Sequence, residues 1–543
     1  MRTRLHLGAL ALVLGATVVG TAGGTTRADA QQGNIFRVAF RSGSLDYLDP
    51  ALSYTAEGWA LLDTTCARLM TYPDKPPPTG LRLVPEVATD FPKISRNGKT
   101  YTFTLGRGFR FSDGSPVQAS AFARAINRTL DPGVKGNPAV QYTRDIVGAA
   151  DVQAGRTSAA AGIVARGNTL VIRFTRPTFD FAAKTTMPFF CAVPPTLPVD
   201  PEGVLRVPAA GPYVVTDYRP GERVVLRRNR FYRGSRPHHV DGFDVDLRAA
   251  GGPDALDRVE RGDADWTIAG VAPAYFTAGR DLARKYGVNK SRFFVTPGFT
   301  IRYLTFNVSR PLFRNNPSLR RAVNFALDRR ALTRVSTNSR LGARLTDQYL
   351  PPSFPGFRDV DVYPLKRADL RRARGLAHGS TRNGKATMYV ASFPMALAAA
   401  QLVRRQLAEI RLDVEVEALP PTAYLGRIAD PDEPWDLALT AWAPDFIDPF
   451  TYINLQLDGR FIPPNGGNFG GFDSPKYNEL MRRAARLRGA ERYRRYGELD
   501  IRIAREAAPT APLNVFTEPT LVSERVSCLV LRPALDLTAA CLK

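Results

Sequence analysis

"YTFTLGRGFRFSDGSPVQASAFARAINRTL", residues 101–130, changes its period halfway along. Tyr101, Phe103 and Leu105 alternate with Thr102 and Thr104, the pattern of a half-buried strand. Ser112-Asp113-Gly114-Ser115-Pro116 then spells a turn, because glycine tolerates positive φ and proline cannot extend a ladder. Beyond it, Ser120 is placed to cap a helix whose Phe122, Ala125, Ile126 and Leu130 share one face. The stretch predicts a stiff hairpin running into an amphipathic helix, and it carries no catalytic side chain.

The same vocabulary repeats on either side. "GPYVVTDYRPGERVVLRRN" (211–229) reads as a strand pair turning at Arg219-Pro220-Gly221-Glu222. In "NNPSLRRAVNFALDRRAL", Asn316 caps a helix that has Pro317 at its first position. From 385 onward, "KATMYVAS", "PMALAAAQLVRRQLAEI", "RLDVEVEAL" and "WDLALTAW" alternate strand, helix, strand and strand, which implies a parallel α/β sheet. "WDLALTAW" is nearly all apolar and reads as a strand buried on both faces. Ligands of open α/β sheets gather beyond the carboxyl ends of the strands. The segment leaving this strand is "APDFIDPF", so Asp445 falls where a ligand would lie.

A chain of 543 residues exceeds one hydrophobic core and implies two or three domains. The formal net charge is +23; Arg2, Arg4 and Arg27 against Asp29 give residues 1–30 a net +2, which leaves +21 for the rest. The basic residues are dispersed along helices such as "MRRAARLRGAERYRRYGELDIRIAREA" (481–507), the pattern of a solvated basic surface. Nucleic acid is therefore not an expected partner. "MRTRLHLGALALVLGATVVGTAGGTTRADA" has a basic start, an apolar run near Leu7–Val19 and an Ala28-Asp29-Ala30 cleavage site. It reads as a secretory signal cleaved after Ala30, with an uncleaved anchor as the alternative. The mature protein is expected to be soluble outside the cytoplasm.

Four cysteines in an exported chain invite pairing. Of the three connectivities, proximity favours Cys528–Cys541, which leaves Cys66 with Cys191; free buried thiols are the alternative. No histidine sits at zinc-site spacing with a cysteine, and neither a metal nor a cofactor is expected. G-x-S-x-G, H-E-x-x-H and phosphate-loop motifs are absent. Paired carboxylates, Asp445 and Asp448, are the one acid–base constellation left, and Asp448 before Pro449 equally suits an Asx-type turn.

"LVPEVATDFPKISRNGKTYTFTLGRGFRFSDGSPVQASAFARAINR" (83–128) closely resembles the signature region of family 5 solute-binding proteins, the extracytoplasmic receptors of ABC importers for peptides, nickel chelates and some sugars. The resemblance continues through "GPYVVTDYRPGERVVLRRNRFYRG", "IRYLTFNVSRPLFRNNPSLRRAVNFALDR" and "DLALTAWAPDFIDPFTYI". It implies an α/β, two-lobed periplasmic-binding-protein-like fold of class II, with an extra scaffold subdomain at about 76–205. The first lobe would span 31–300 and the second 301–508, joined by crossover strands near 300 and 510. Residues 509–543 would return to the first lobe.

The resemblance also implies that the acidic residue of a W-x-x-D segment pairs with a peptide's α-ammonium; here the segment is "WAPDF", giving Trp442 and Asp445. With Ala443 beside them and Tyr54 in the loop before the first helix, these are the candidate ligand-binding residues. The expected function is a monomeric, non-enzymatic receptor that captures a short peptide or other small solute and delivers it to a membrane ABC permease. The competing readings are a secreted hydrolase using paired carboxylates and a basic envelope-associated binding protein. Two departures from the family stand out: no lipid-anchor cysteine follows the signal, and the charge is strongly basic. Attraction to an anionic envelope would be one means of retention.

Overall fold

The opening stretch folds as a strand and a helix on one shared core. The computed structural model describes residues 34–134, 139–268, 273–337, 341–463, 466–532 and 535–543; the signal-peptide reading of 1–30 lies outside them. Strand Thr100–Thr104 pairs antiparallel with Lys93–Ile94 and with Thr169–Arg173, and Ile163–Arg166 completes a four-stranded sheet. Tyr101 and Phe103 point inward, and Tyr101 meets Phe174 and Phe181 edge-on with ring centroids 5.8 and 5.4 Å apart. Helix Ala119–Arg128 buries Phe122, Ala125 and Ile126. It begins one residue before the expected Ser120 cap: the N–H of Ala119 is taken by the Gly167 carbonyl of the neighbouring hairpin, so a backbone group does the work of a capping side chain.

A second four-stranded sheet runs in the order Ile35–Arg41, Gly242–Ala249, Arg223–Arg228, Tyr213–Arg219. Its outer pair turns through Gly221 at φ +75°, a conformation that favours glycine. The tail of the chain completes this core. Val522, Val526, Leu535, Leu537 and Ala540 pack with Phe36, Val38 and Phe243, and Trp266 bridges Val38 on one side and Val522 on the other.

The third sheet departs from the parallel expectation. Strands Lys385–Ala391, Asp413–Leu419 and Leu437–Trp442 are mutually parallel, but Leu437–Trp442 also pairs antiparallel with the 14-residue strand Phe293–Phe306. That strand pairs antiparallel in turn with the 12-residue strand Thr510–Leu521, and Ala343–Leu345 closes the edge. The sheet is mixed because its two longest strands arrive from distant parts of the chain, without the helical crossover that enforces parallel pairing. Leu437–Trp442 is central, as its composition suggests, yet only Leu437 and Ala438 are fully buried; from Leu439 on the strand opens outward. Helix Pro317–Ala326 has Asn316 as its cap, accepting from the Leu319 N–H at 3.2 Å.

Disulfides join Cys66 to Cys191 and Cys528 to Cys541. The first is buried beside Leu62; the second ties together two short antiparallel strands of the tail, with Cys528 exposed. Among the described residues no helix is long and apolar enough to cross a membrane.

Candidate functional site

Asp445 follows the central strand directly, and the chain around it is anchored to residues nearly 400 positions earlier. Oδ1 of Asp445 accepts the Tyr54 hydroxyl at 2.7 Å. Two residues on, the Ile447 N–H donates to the Tyr72 hydroxyl oxygen at 2.9 Å. Tyr54 itself is positioned by its neighbours: the Asp46 carboxylate accepts its N–H at 2.6 Å, together with the hydroxyls of Ser53 and Thr55. The loop carrying Tyr54 is tied to the opening stretch by a buried ion pair, since Arg128, the last residue of that helix, grips Asp49 through both terminal nitrogens at 2.8 and 2.6 Å. The signature hairpin and helix thus act at a distance, holding the loop that presents Tyr54.

Tyr54 is 44% exposed, yet its hydroxyl is turned to the carboxylate and its ring packs against Trp59 and Phe189. Tyr142, 4% exposed, stacks on the same Phe189 with ring centroids 6.1 Å apart, and its hydroxyl faces Asp445 and Tyr54. Burial pushes the Asp445 carboxyl up, and the Tyr54 and Tyr142 hydroxyls beside it work the other way. Burial and the facing Asp445 charge drive the ionisation of both tyrosines well above the usual range, so both stay neutral and able to donate. Among the described residues no cation pairs with Asp445.

This carboxylate opens into a cavity of about 540 Å³. Its walls come from helix Ala56–Thr65, the 443–447 segment, the strand Thr510–Leu521 and the tail around Asp536. Ala443 and Asp445 line it; Tyr54 reaches it through Asp445. Trp442 points the other way: its indole donates weakly to Thr451 at 3.4 Å, and a Cβ on Gly467 would lie 2.4 Å from its ring. It therefore braces the strand end from behind. A second cavity of about 200 Å³, near Tyr142, has the matched pairs Lys184 with Asp180 and Arg176 with Asp145 on its wall.

Asp448, the other half of the expected carboxylate pair, is occupied. It forms a buried two-point ion pair with Arg492 at 2.7 and 2.8 Å and accepts the Phe450 N–H at 2.9 Å. Both the turn role and the ion pair withdraw it from acid–base work.

Sequence reading missed two groups. Asp63, Asp74 and Asp536 converge at one corner of the cavity, where Arg68, Arg236 and Arg532 bind them in a closed network. Burial disfavours the Asp63 charge, but Arg236, Arg68 and Arg532 outweigh it and hold that carboxyl well below the usual range. With three guanidinium groups already in place, the corner has no need of a metal cation. Glu518, on the strand Thr510–Leu521, also lines the cavity, and burial alone pushes its carboxyl up to about 7. On the adjoining strand Arg302 lies over the Phe516 ring, 4.7 Å from its centroid, and burial lowers it to about 10.

A mixed sheet crossed by two long strands, with a cleft beyond the end of its central strand, defines a two-lobed periplasmic-binding-protein fold. Residues 82–462 match bacterial extracellular solute-binding proteins, family 5 Middle, and the chain belongs to that family. It is 23% identical over 465 residues to the oligopeptide-binding protein OppA of Bacillus subtilis, covering 81% of each chain. It is 25% identical over 469 residues to the peptide transport periplasmic protein SapA of Salmonella typhimurium, covering 82% of this chain and 80% of that one. Among solved structures, clavulanic acid biosynthesis oligopeptide binding protein 2 superposes with a TM-score of 0.82 at 25% identity, covering 94% and 95% of the two chains.

Proposed function

We propose that this protein is the receptor of an ABC importer that captures a short peptide by its α-ammonium at Asp445 and hands it to the membrane permease. The observation that carries this reading is an unpaired carboxylate at the end of a central strand, inside a cavity of peptide size, held by the Tyr54 hydroxyl. A desolvated carboxylate with no cation of its own gives a strong charge-assisted bond to an ammonium. Similarity to OppA and SapA, named for peptide binding and peptide transport, supports the ligand class. Ala443 would offer its small surface to the ligand, and Trp442 would fix the segment from behind. No catalytic role is assigned, since Asp448 is committed to Arg492.

In this reading the lobes divide at 31–300 and 301–508, with the scaffold subdomain at about 76–205 and a return segment at 509–543. The four-stranded sheet around Thr100–Thr104 fits the scaffold, and the packing of Val522 to Ala540 against Phe36 fits the return. The mature chain would begin at Gln31, act as a monomer outside the cytoplasm and close its lobes over the solute.

Calorimetry with trialanine and its N-acetyl form tests the proposal. The free tripeptide should bind and the acetylated one should lose about 1.5–3 kcal/mol, the worth of a hydrogen bond to a charged group. Asp445→Asn should lose the same amount for the free peptide and make the two peptides equal. Unchanged affinity in Asp445→Asn would overturn the anchor role.

A further inference from the structure

Among the described residues, two of the charges on the cleft walls have no ionic partner, and both are acidic. Asp63 and Asp536 share Arg68, Arg236 and Arg532; Asp445 and Glu518 have no cation among the described residues. Glu518 stands opposite Thr296 in the pairing of the two long strands. The neighbouring strand leaves it room at Gly298, where a Cβ would lie 3.0 Å from Glu518 Oε1. No neighbouring charge or hydrogen-bond donor offsets the effect of burial on its carboxyl. On the same cavity wall the Thr267 hydroxyl, 2% exposed, has no hydrogen-bond partner among the described residues. A buried acceptor and a desolvated carboxylate, both unmatched, are costly unless something from outside matches them.

We propose that the cleft selects a ligand with two cationic groups: a peptide whose α-ammonium meets Asp445 and whose basic side chain meets Glu518. This rests on the peptide-receptor reading and adds the substrate class to it. Glu518 acts as a specificity residue: beside an apolar side chain its buried carboxyl keeps its proton or stays unpaired, while an ammonium or guanidinium stabilises the carboxylate through a charge-assisted bond. The overall +23 charge of the chain does not bear on this, because the selecting field inside a cleft is set by the walls.

The test compares lysyl-alanyl-alanine with norleucyl-alanyl-alanine, which keeps the apolar stem and lacks the ammonium. The lysyl peptide should bind at least about tenfold more tightly than the norleucyl peptide and trialanine, and Glu518→Gln should erase that preference. Equal affinities, or a lysyl preference that survives in Glu518→Gln, overturn the Glu518 assignment and leave the peptide reading standing. If none of the three peptides binds, the peptide reading fails on its own. Glu518 is then decided by thermal shift with 1,5-diaminopentane against 1-aminopentane. Stabilisation by the diamine alone, lost in Glu518→Gln, supports the assignment, and its absence overturns it.

Discussion

Asp445 and Asp448 are three residues apart and chemically identical, yet the fold gives them opposite duties. Asp448 neutralises a buried guanidinium, so Asp448→Asn should strand the Arg492 charge and cost about 3–5 kcal/mol of stability in denaturant unfolding. Asp445→Asn should leave the unfolding midpoint of the unliganded protein nearly unchanged, because no ion pair is broken and the amide oxygen can still accept the Tyr54 hydroxyl. A midpoint lowered equally in both variants would erase the distinction. Sequence brought both residues into view but could not separate them, since the deciding partner lies 44 positions away in a helix that reads as plain basic surface. Glu518 does carry a local signal: it is the one charged residue in the strand "TAPLNVFTEPTL". Burial also raises Asp500 and Glu518 to about 7. Between the ordinary carboxylate range and pH 7 the folded state holds protons that the unfolded chain has released. Their contribution to stability is therefore present at low pH and lost as pH rises through that window. The melting temperature of the unliganded protein should fall between pH 5 and pH 7.5, and Asp500→Asn should flatten the slope; a wild-type melting curve that climbs over this range would contradict it.

Among the elements, helices and hairpins were legible because their signals are local. Asn316-Pro317 announced a capped helix, and Pro220-Gly221 announced a turn. The orientation of the third sheet was not legible, because the strands Phe293–Phe306 and Thr510–Leu521 are made neighbours by the whole chain between them. Trp442 marks where the strand gives way to the site. The 443–447 segment lines the cavity, while Trp442 stays outside it and packs on Gly467. Gly467→Ala should push the indole off its seat and cost about 1–3 kcal/mol, the usual range for overpacking. Tryptophan fluorescence and the unfolding midpoint would register it, and a variant indistinguishable from wild type would mean that the ring is free to move.

For the whole molecule, the two disulfides differ in what they constrain. Cys66–Cys191 closes a loop of 125 residues and is buried, so it should survive mild reductant in the native state; in the chain-entropy model its loss costs about 4–5 kcal/mol. Cys528–Cys541 closes 13 residues at the surface and should open first, which stepwise reduction with mass mapping would reveal. Simultaneous opening would show that the buried bond is reached by local unfolding.

The stitching of Val522 to Trp266, and of Leu535 and Leu537 onto Phe36, also sets a timetable for synthesis. A chain made from its amino end cannot finish the core begun at Phe36 until its last residues emerge. At roughly 5–20 residues per second, the roughly 250 positions between Trp266 and Val522 impose a wait of about 10–50 seconds. During that interval the Asp63 and Asp74 corner lacks Arg532, and the first sheet lacks the apolar cover that the tail supplies. The core begun at Phe36 thus stays uncovered until residues 522–540 arrive to close it.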